Sequence, residues 1–306
     1  MINDFIKKHY LEVSAYTYAG AYKDYFQSLP DDIPTLGRLV CGQVIHPSFF
    51  FTPVSKYMED KYFGKLSSFQ KHRFLNEDEL FVTAAAMTAE LFRLDERGFV
   101  EDKDVTGRLS VSCRQASVLM TAILKAKNIP CRSRAGFIDF GDDSSSYIEH
   151  WVNEYWNDNE QRWVLMDIDG YYEFESRFGY SQFDLPVRKF ISGADAWLRI
   201  RCGTLDKTKI IIDEAEPGQG IYSYMMMDFH SLMNNEIFYS FLPKHFYNNY
   251  AKITEDELCG LDDLARLAKN PDDNFNELYE IWNNNEKYYS LSNFGTDLYY
   301  KIFAPK

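Results

Sequence analysis

Cys113 sits at the mouth of an apolar, helix-like run, in the stretch "SVSCRQASVLMTAILKAKNIPCRSR" from Ser110 to Arg134. A thiol is a poor nucleophile until it loses its proton, and a free cysteine titrates near ~8.5. A helix N-terminus, a neighbouring cation and a proton-accepting histidine each lower that value. Cys113 falls at the first helical position, where backbone amides and the macrodipole favour an anion, and Arg114 places a cation next to it. The Cys113 amide would also form part of an oxyanion hole. His150 follows in "EHWVNEYW", 37 positions on (150 − 113), and Asp167 in "RWVLMDID", 17 further (167 − 150). Thiol, imidazole and carboxylate are the parts of a nucleophile, base and orienter set. Alone, Cys113 reads equally well as a small buried residue, and His150 reads more readily as a satisfied strand histidine. The chemical reading comes from the ordered trio.

The elements around the trio must place it. Ser112 and Gln115 fit a capping box, and Ala116, Leu119, Ala122, Ile123 and Ala126 recur at helical spacing until "NIP" stops the run. The period then changes. "CRSRAGFIDF", "YIEHWVNEYW" and "RWVLMDI" read as three strands separated by the polar loops "GDDSSS" and "NDNEQ". A helix followed by consecutive strands implies an antiparallel sheet beside helices, an α+β arrangement. Adjacent antiparallel strands would set His150 beside Asp167, with the helix mouth opposite. Asp169, two residues on, shares that face if the strand continues and competes for the same role.

These residues carry a resemblance. "GRLSVSCRQASVLMTAILKAKNIPCRSRAGF", "EHWVNEYW" and "RWVLMDID" together resemble the transglutaminase-like superfamily of papain-like thiol enzymes over about residues 107–169. The family pattern has a cysteine opening a helix, an "IPxR…G" exit, a histidine followed by an acidic–aromatic strand, and a tryptophan strand ending in aspartate. It falls here on Cys113, Ile129 to Arg132 with Gly136, His150 with Glu154 and Tyr155, and Trp163 to Asp167. More weakly, through "DLPVRKFISGADAWLRIRCG" and the C-terminal helices, the chain resembles bacterial transglutaminase-domain proteins of about this length.

The resemblance implies a nucleophile helix packed on an antiparallel sheet, and a Cys113–His150–Asp167 triad. It implies acyl transfer or hydrolysis at a peptide or glutamine amide through a thioester, or peptide N-glycanase-like removal of glycans. It implies no cofactor and no metal. The expected partners are a peptide or protein substrate and a small amine acceptor. Arg114, Trp151, Glu154 and Trp163 would border the site, although aromatic strand residues more often belong to a core. The family usually draws an oxyanion donor from upstream of the cysteine. No motif fixes one here, and the capping box occupies Gln115. From a different class, a binding or scaffold protein with the fold and without the chemistry remains the alternative.

The rest of the chain bounds these readings. Its 306 residues, 45% apolar and 17% aromatic, suffice for a sizeable core. A net charge of −13 argues against a nucleic-acid partner. No run approaches the ~18 consecutive apolar residues of a membrane span, and the opening "MINDFIKKHYLEV" is not a secretory signal. With an odd number of cysteines and no CxxC spacing, the expectation is reduced thiols in a cytoplasm. Cys41, Cys202 and Cys259 read as buried small hydrophobes, and Cys131 as strand packing.

Organisation reads as a helical and loop extension over 1–75, a transglutaminase-like core over 76–186 and a mainly helical region over 187–306. "NEDELFVTAAAMTAELFRLDERG" reads as one helix, "GADAWLRI" as a short one, and "TEDELCGLDDLARLAKNPDDNFNELYEIWNNNE" as a helical hairpin with Thr254 and Glu257 as a capping box. Met225 to Met227 with His230 read as core packing, and His9, His46, His72 and His245 show no visible partners in sequence.

Overall fold

The computed structural model of the chain describes residues 2–51, 55–74, 76–139, 146–169, 175, 178–212, 217–247 and 250–291. The tail "LYYKIFAPK" and most of the "GDDSSS" loop lie outside the described residues. The main elements begin with α1 (Asp4–Leu11), α2 (Ile33–Cys41) and β1 (Val44–Ile45). α3 (Glu77–Leu80) and α4 (Ala84–Leu94) lead to β2 (Leu109–Ser110) and α5 (Cys113–Ala126). Three strands follow: β3 (Cys131–Ile138), β4 (Tyr147–Asn157) and β5 (Arg162–Met166). Then come β6 (Phe190–Ser192), α6 (Gly193–Arg201), β7 (Ile210–Ile211), α7 (Pro217–Leu232), α8 (Glu255–Lys269) and α9 (Phe275–Asn284). The fold is α+β, as the helix-then-strands pattern implies.

The sheet runs in the order β5-β4-β3-β6, with β7 also paired to β4. β4 pairs antiparallel with β5, from Asn157↔Arg162 to Asn153↔Met166, and β3 pairs antiparallel with β6. β7 departs from the antiparallel expectation: it lies parallel to β4, with Tyr147 opposite Ile210. Two compact units emerge, one of residues 3–133 and 151–187, the other of 134–150 and 188–306. The division falls inside β3 and β4, so each of these strands runs through both.

In the first unit, every residue of α5 is buried, polar ones included. A helix enclosed all round needs its polar side chains satisfied from within. Ser117 Oγ donates to Ser133 Oγ of β3 at 2.9 Å, and Asn153 Nδ2 of β4 donates to Ser117 O at 2.9 Å and Thr121 Oγ1 at 2.8 Å. This polar seam fixes the helix on the sheet in one register. Asn128, at φ 62, takes the left-handed conformation that ends the helix, ahead of Pro130.

Two local readings change. The helix expected over "NEDELFVTAAAMTAELF" breaks into α3 and α4, the second capped by Thr83, whose hydroxyl accepts the Ala86 N–H. The α3 acids are spent on the neighbouring strand instead: Glu77 Oε2 accepts the Ser110 N–H at 2.8 Å and Asp78 Oδ1 the Ser112 N–H at 2.7 Å. Arg73 holds Glu77 from the other side at 2.6 Å. The Ser112–Gln115 capping box does not form either. Ser112 Oγ donates to Gln115 Oε1 at 2.9 Å, and Gln115 Nε2 donates to the Asp78 carbonyl.

In the second unit, Arg134 of β3 holds Asp228 of α7 through two hydrogen bonds, Nε at 2.7 Å and Nη2 at 3.0 Å, both side chains buried. A Cβ on Gly136 would run into the Ile191 carbonyl of β6, which gives the glycine of the "IPxR…G" pattern a steric reason. α8 and α9 form the expected hairpin around "NPDD", and the Thr254–Glu257 capping box is present. Cys202 and Cys259 are exposed rather than buried, whereas Cys41 and Cys131 are buried as read. His245 Nε2 lies 2.9 Å from Glu257 Oε1, a partner that the sequence did not reveal.

Met225 to Met227 are core residues, as expected. His230 is fully buried, with Nε2 donating to the Tyr288 carbonyl at 2.7 Å and Nδ1 accepting from Asn235 at 3.0 Å. Burial lowers its pKa from 6.5 to about 4, against the weaker opposing pull of the Tyr288 carbonyl. Between those values the unfolded chain binds the proton and the folded one does not. Stability is therefore full above about pH 6.5 and falls as the pH drops towards about 4. The loss amounts to about 3 kcal/mol by the bottom of that window. Urea unfolding at several pH values checks this, and His230→Asn should flatten the slope.

Candidate active site

Cys113 is the first residue of α5, with Ser112 as its N-cap in extended conformation. Its side chain is 6% exposed. The approach to it is braced by the Asp78 carboxylate on the Ser112 amide. Burial raises the Asp78 pKa above the ordinary aspartate value, while the Ser112 hydrogen bonds, His46 and Arg114 pull it down.

The β4–β5 pairing ends just before the two candidate acids. The hairpin closes at Asn157↔Arg162, and its last paired step is Asn153↔Met166. β5 stops at Met166, so Asp167 and Asp169 both lie beyond the strand end. There Cys113 Sγ, a His150 ring nitrogen and an Asp169 carboxylate oxygen lie within 4.8 Å of one another, all three residues buried. Asp167, the acid expected as the orienter, lies two residues before Asp169. It is buried, and its Oδ1 accepts the Asp169 N–H at 2.9 Å, so it shapes the turn that presents Asp169. Its own backbone is tied to Gln182 at both ends, N–H to carbonyl at 2.8 Å and carbonyl from Nε2 at 3.2 Å.

A second histidine joins the site. His46, directly after β1, brings Nε2 to 3.9 Å from Asp169 Oδ2. The sequence held one hint of it, a histidine ending the apolar pair of "QVIHP". Nothing in the sequence reveals that β1 pairs with β2, the strand that leads into Cys113.

The residues expected to border the site have partners of their own. Arg114 is fully buried, its guanidinium 4.8 Å from the Tyr16 ring and Nη1 donating to the Val82 carbonyl at 3.2 Å. Trp151 is a core residue, 1% exposed. Glu154 pairs with Arg132 at 2.6 Å, and the Arg132 guanidinium lies 4.1 Å from the Trp163 ring. Trp163 also meets Tyr10 and Trp156 edge to face. Glu154 and Trp163 thus belong to a stacked cluster at the hairpin end of β4 and β5. A cavity of about 1310 Å³ opens in the first unit, lined by Arg38, Lys61, Phe63, Arg108 and Gln182 among others. None of the trio lines it.

Residues 101–168 match the family model of the transglutaminase-like superfamily. The matched segment holds β2, α5 and β3 to β5, with Cys113, His150 and Asp167, and it ends one residue before Asp169. No curated protein and no solved structure matches the chain. Within this transglutaminase-like segment the thiol opens the buried helix and the histidine lies on the neighbouring strand. Sulfur, imidazole and carboxylate are also donors that a zinc ion accepts, so the trio has the composition of a three-ligand metal site as well. Among the described residues, no helix is long and apolar enough to cross a membrane.

Proposed function

We propose that this protein is a transglutaminase-like thiol enzyme that performs acyl transfer or hydrolysis at an amide bond of a peptide or protein. The convergence of Cys113, His150 and Asp169 within 4.8 Å, with the thiol at a helix N-terminus, carries this reading. His150 removes the Cys113 proton, and the helix N-terminus favours the thiolate that results. The thiolate attacks the amide carbon. As the tetrahedral intermediate collapses, the imidazolium returns its proton to the departing amine or ammonia, leaving a thioester on Cys113. Water, or a primary amine, then loses a proton to His150 and attacks the thioester, releasing acid or new amide and restoring the thiol. Asp169 is the carboxylate that stabilises the imidazolium. Asp167, through the Asp169 amide, is a positioning residue.

The chemistry needs no cofactor. The five free thiols fit a reducing cytoplasm, and the −13 charge fits a peptide or protein partner better than nucleic acid. Turnover of peptide, amine and glycopeptide panels by wild type and Cys113→Ser tests the reading. Ammonia release with amine incorporation identifies a transferase, ammonia release alone an amidase, and glycan release a peptide N-glycanase. No Cys113-dependent turnover, with tight retention of a ligand, would leave a binding protein. The donor set supports a second reading, a zinc site. In that case Cys113 resists alkylation until a chelator is added.

A further inference from the structure

We propose that His46 is the oxyanion donor of this site: its Nε2–H binds the oxygen of the amide carbonyl that Cys113 attacks. The inference rests on the thiol acyl-transfer reading above and adds to it the upstream group that the sequence did not identify.

Position comes first. β1 and β2 run parallel, with Ile45 opposite Ser110, and the Val111 N–H donates to the Ile45 carbonyl at 3.1 Å. His46 therefore leaves β1 at the level where the neighbouring chain passes through Val111 and Ser112 into α5. The imidazole and the thiol both approach the Asp169 carboxylate, His46 Nε2 at 3.9 Å from Oδ2 and Cys113 Sγ within 4.8 Å of a carboxylate oxygen.

The tautomer is set locally. Ser48 N–H donates to His46 Nδ1 at 3.1 Å, and Ser48 Oγ lies 2.7 Å from the same nitrogen. A ring nitrogen that accepts a backbone N–H carries no proton of its own, so the neutral ring holds its proton on Nε2. The ring is thus a donor on the side that faces the site. Its Nε2 is 3.9 Å from Asp169 Oδ2, longer than a hydrogen bond, so that carboxylate does not consume the proton. The His46 side chain is 30% exposed and that of Asp169 is 7% exposed. The imidazole is thus open to a carbonyl arriving from solvent, whereas Asp169 is enclosed.

The step balances without a proton transfer to His46. The sulfur pair forms the S–C bond, the carbonyl π pair moves onto oxygen, and Nε2–H donates a hydrogen bond to that oxygen. When the intermediate collapses, the pair returns to the carbonyl and the C–N bond breaks. A preoriented donor suits this role because the negative charge appears only in the intermediate.

The test separates attack on carbon from attack on a carbonyl. Iodoacetamide reports the Cys113 thiolate and builds no oxyanion; p-nitrophenyl acetate acylates the same sulfur through one. His46→Ala should slow acylation of Cys113 on the order of 10²–10³-fold. Its iodoacetamide rate at Cys113 and its melting temperature should match wild type, and His46→Gln, which keeps an N–H donor, should recover part of the loss. Acylation of His46→Ala at the wild-type rate would overturn the proposal, and so would a parallel fall in both reactions. Equal acetylation of wild type and Cys113→Ser would instead remove the thiol reading, and this proposal with it.

Discussion

Cys113→Ser should lower turnover of an amide substrate on the order of 10⁴-fold or more, because without the thiolate only binding and oxyanion stabilisation remain. The same residue should stand out chemically. At about pH 6 an ordinary thiol is almost wholly protonated, whereas one held at a helix N-terminus beside an imidazole retains a reactive fraction. Iodoacetamide should therefore modify Cys113 faster than Cys41 or Cys131 at that pH, and His150→Ala should remove the advantage.

One rival must be taken away first. Cys202 is exposed, and its hydrogen bond to Thr204, with a smaller backbone contribution from that residue, lowers its thiol pKa. The measurement belongs in a Cys202→Ser background, with labelling mapped residue by residue. Cys113 labelling no faster than Cys259 would count against activation. So would an unchanged rate in His150→Ala.

Asp169→Asn should lower turnover by about 10²–10⁴-fold with little change in melting temperature, since it removes the charge facing the imidazolium and keeps the shape. Two effects oppose each other here. A carboxylate within 4.8 Å of the sulfur disfavours the thiolate, yet it favours the imidazolium that must form as the thiolate forms. The second effect prevails if His150 shares the charge, and the pH profile of alkylation reads the balance directly. Asp167→Asn leaves Asp169 in place with a weaker acceptor for its amide, so its loss of turnover should be smaller and accompanied by lost stability. The reverse ranking, with Asp167→Asn the more damaging to turnover and harmless to the fold, would return the orienting role to Asp167.

The choice between these two acids shows where reading the sequence stops. Strand alternation would place them on one face, but β5 ends at Met166, before either acid. Which of them meets His150 depends on the path of the chain after β5 ends, which no strand period encodes. The Asp167 carboxylate takes the Asp169 N–H, and an Asp169 oxygen comes within 4.8 Å of a His150 ring nitrogen. Arg114 adjoins the thiol in sequence, and the fold lays its guanidinium 4.8 Å from the Tyr16 ring, a contact that no local pattern reveals.

Sequence alone determined the elements whose signal is local. The apolar period and the "NIP" stop specify α5, alternation and polar loops specify β3 to β5, and Thr254 with Glu257 caps α8. It also determined the residue types that can do thiol chemistry and their order along the chain. Tertiary structure decided everything that depends on distant segments meeting. α3 and α4 separate because Glu77 and Asp78 serve the amides of Ser110 and Ser112, about thirty residues away, in place of one continuous helix. His46 enters the site because a two-residue parallel pairing, too short to leave a pattern, lays β1 beside β2. Backbone periodicity is written residue by residue, whereas a pairing between remote strands depends on packing the whole core, and no short stretch of sequence encodes it.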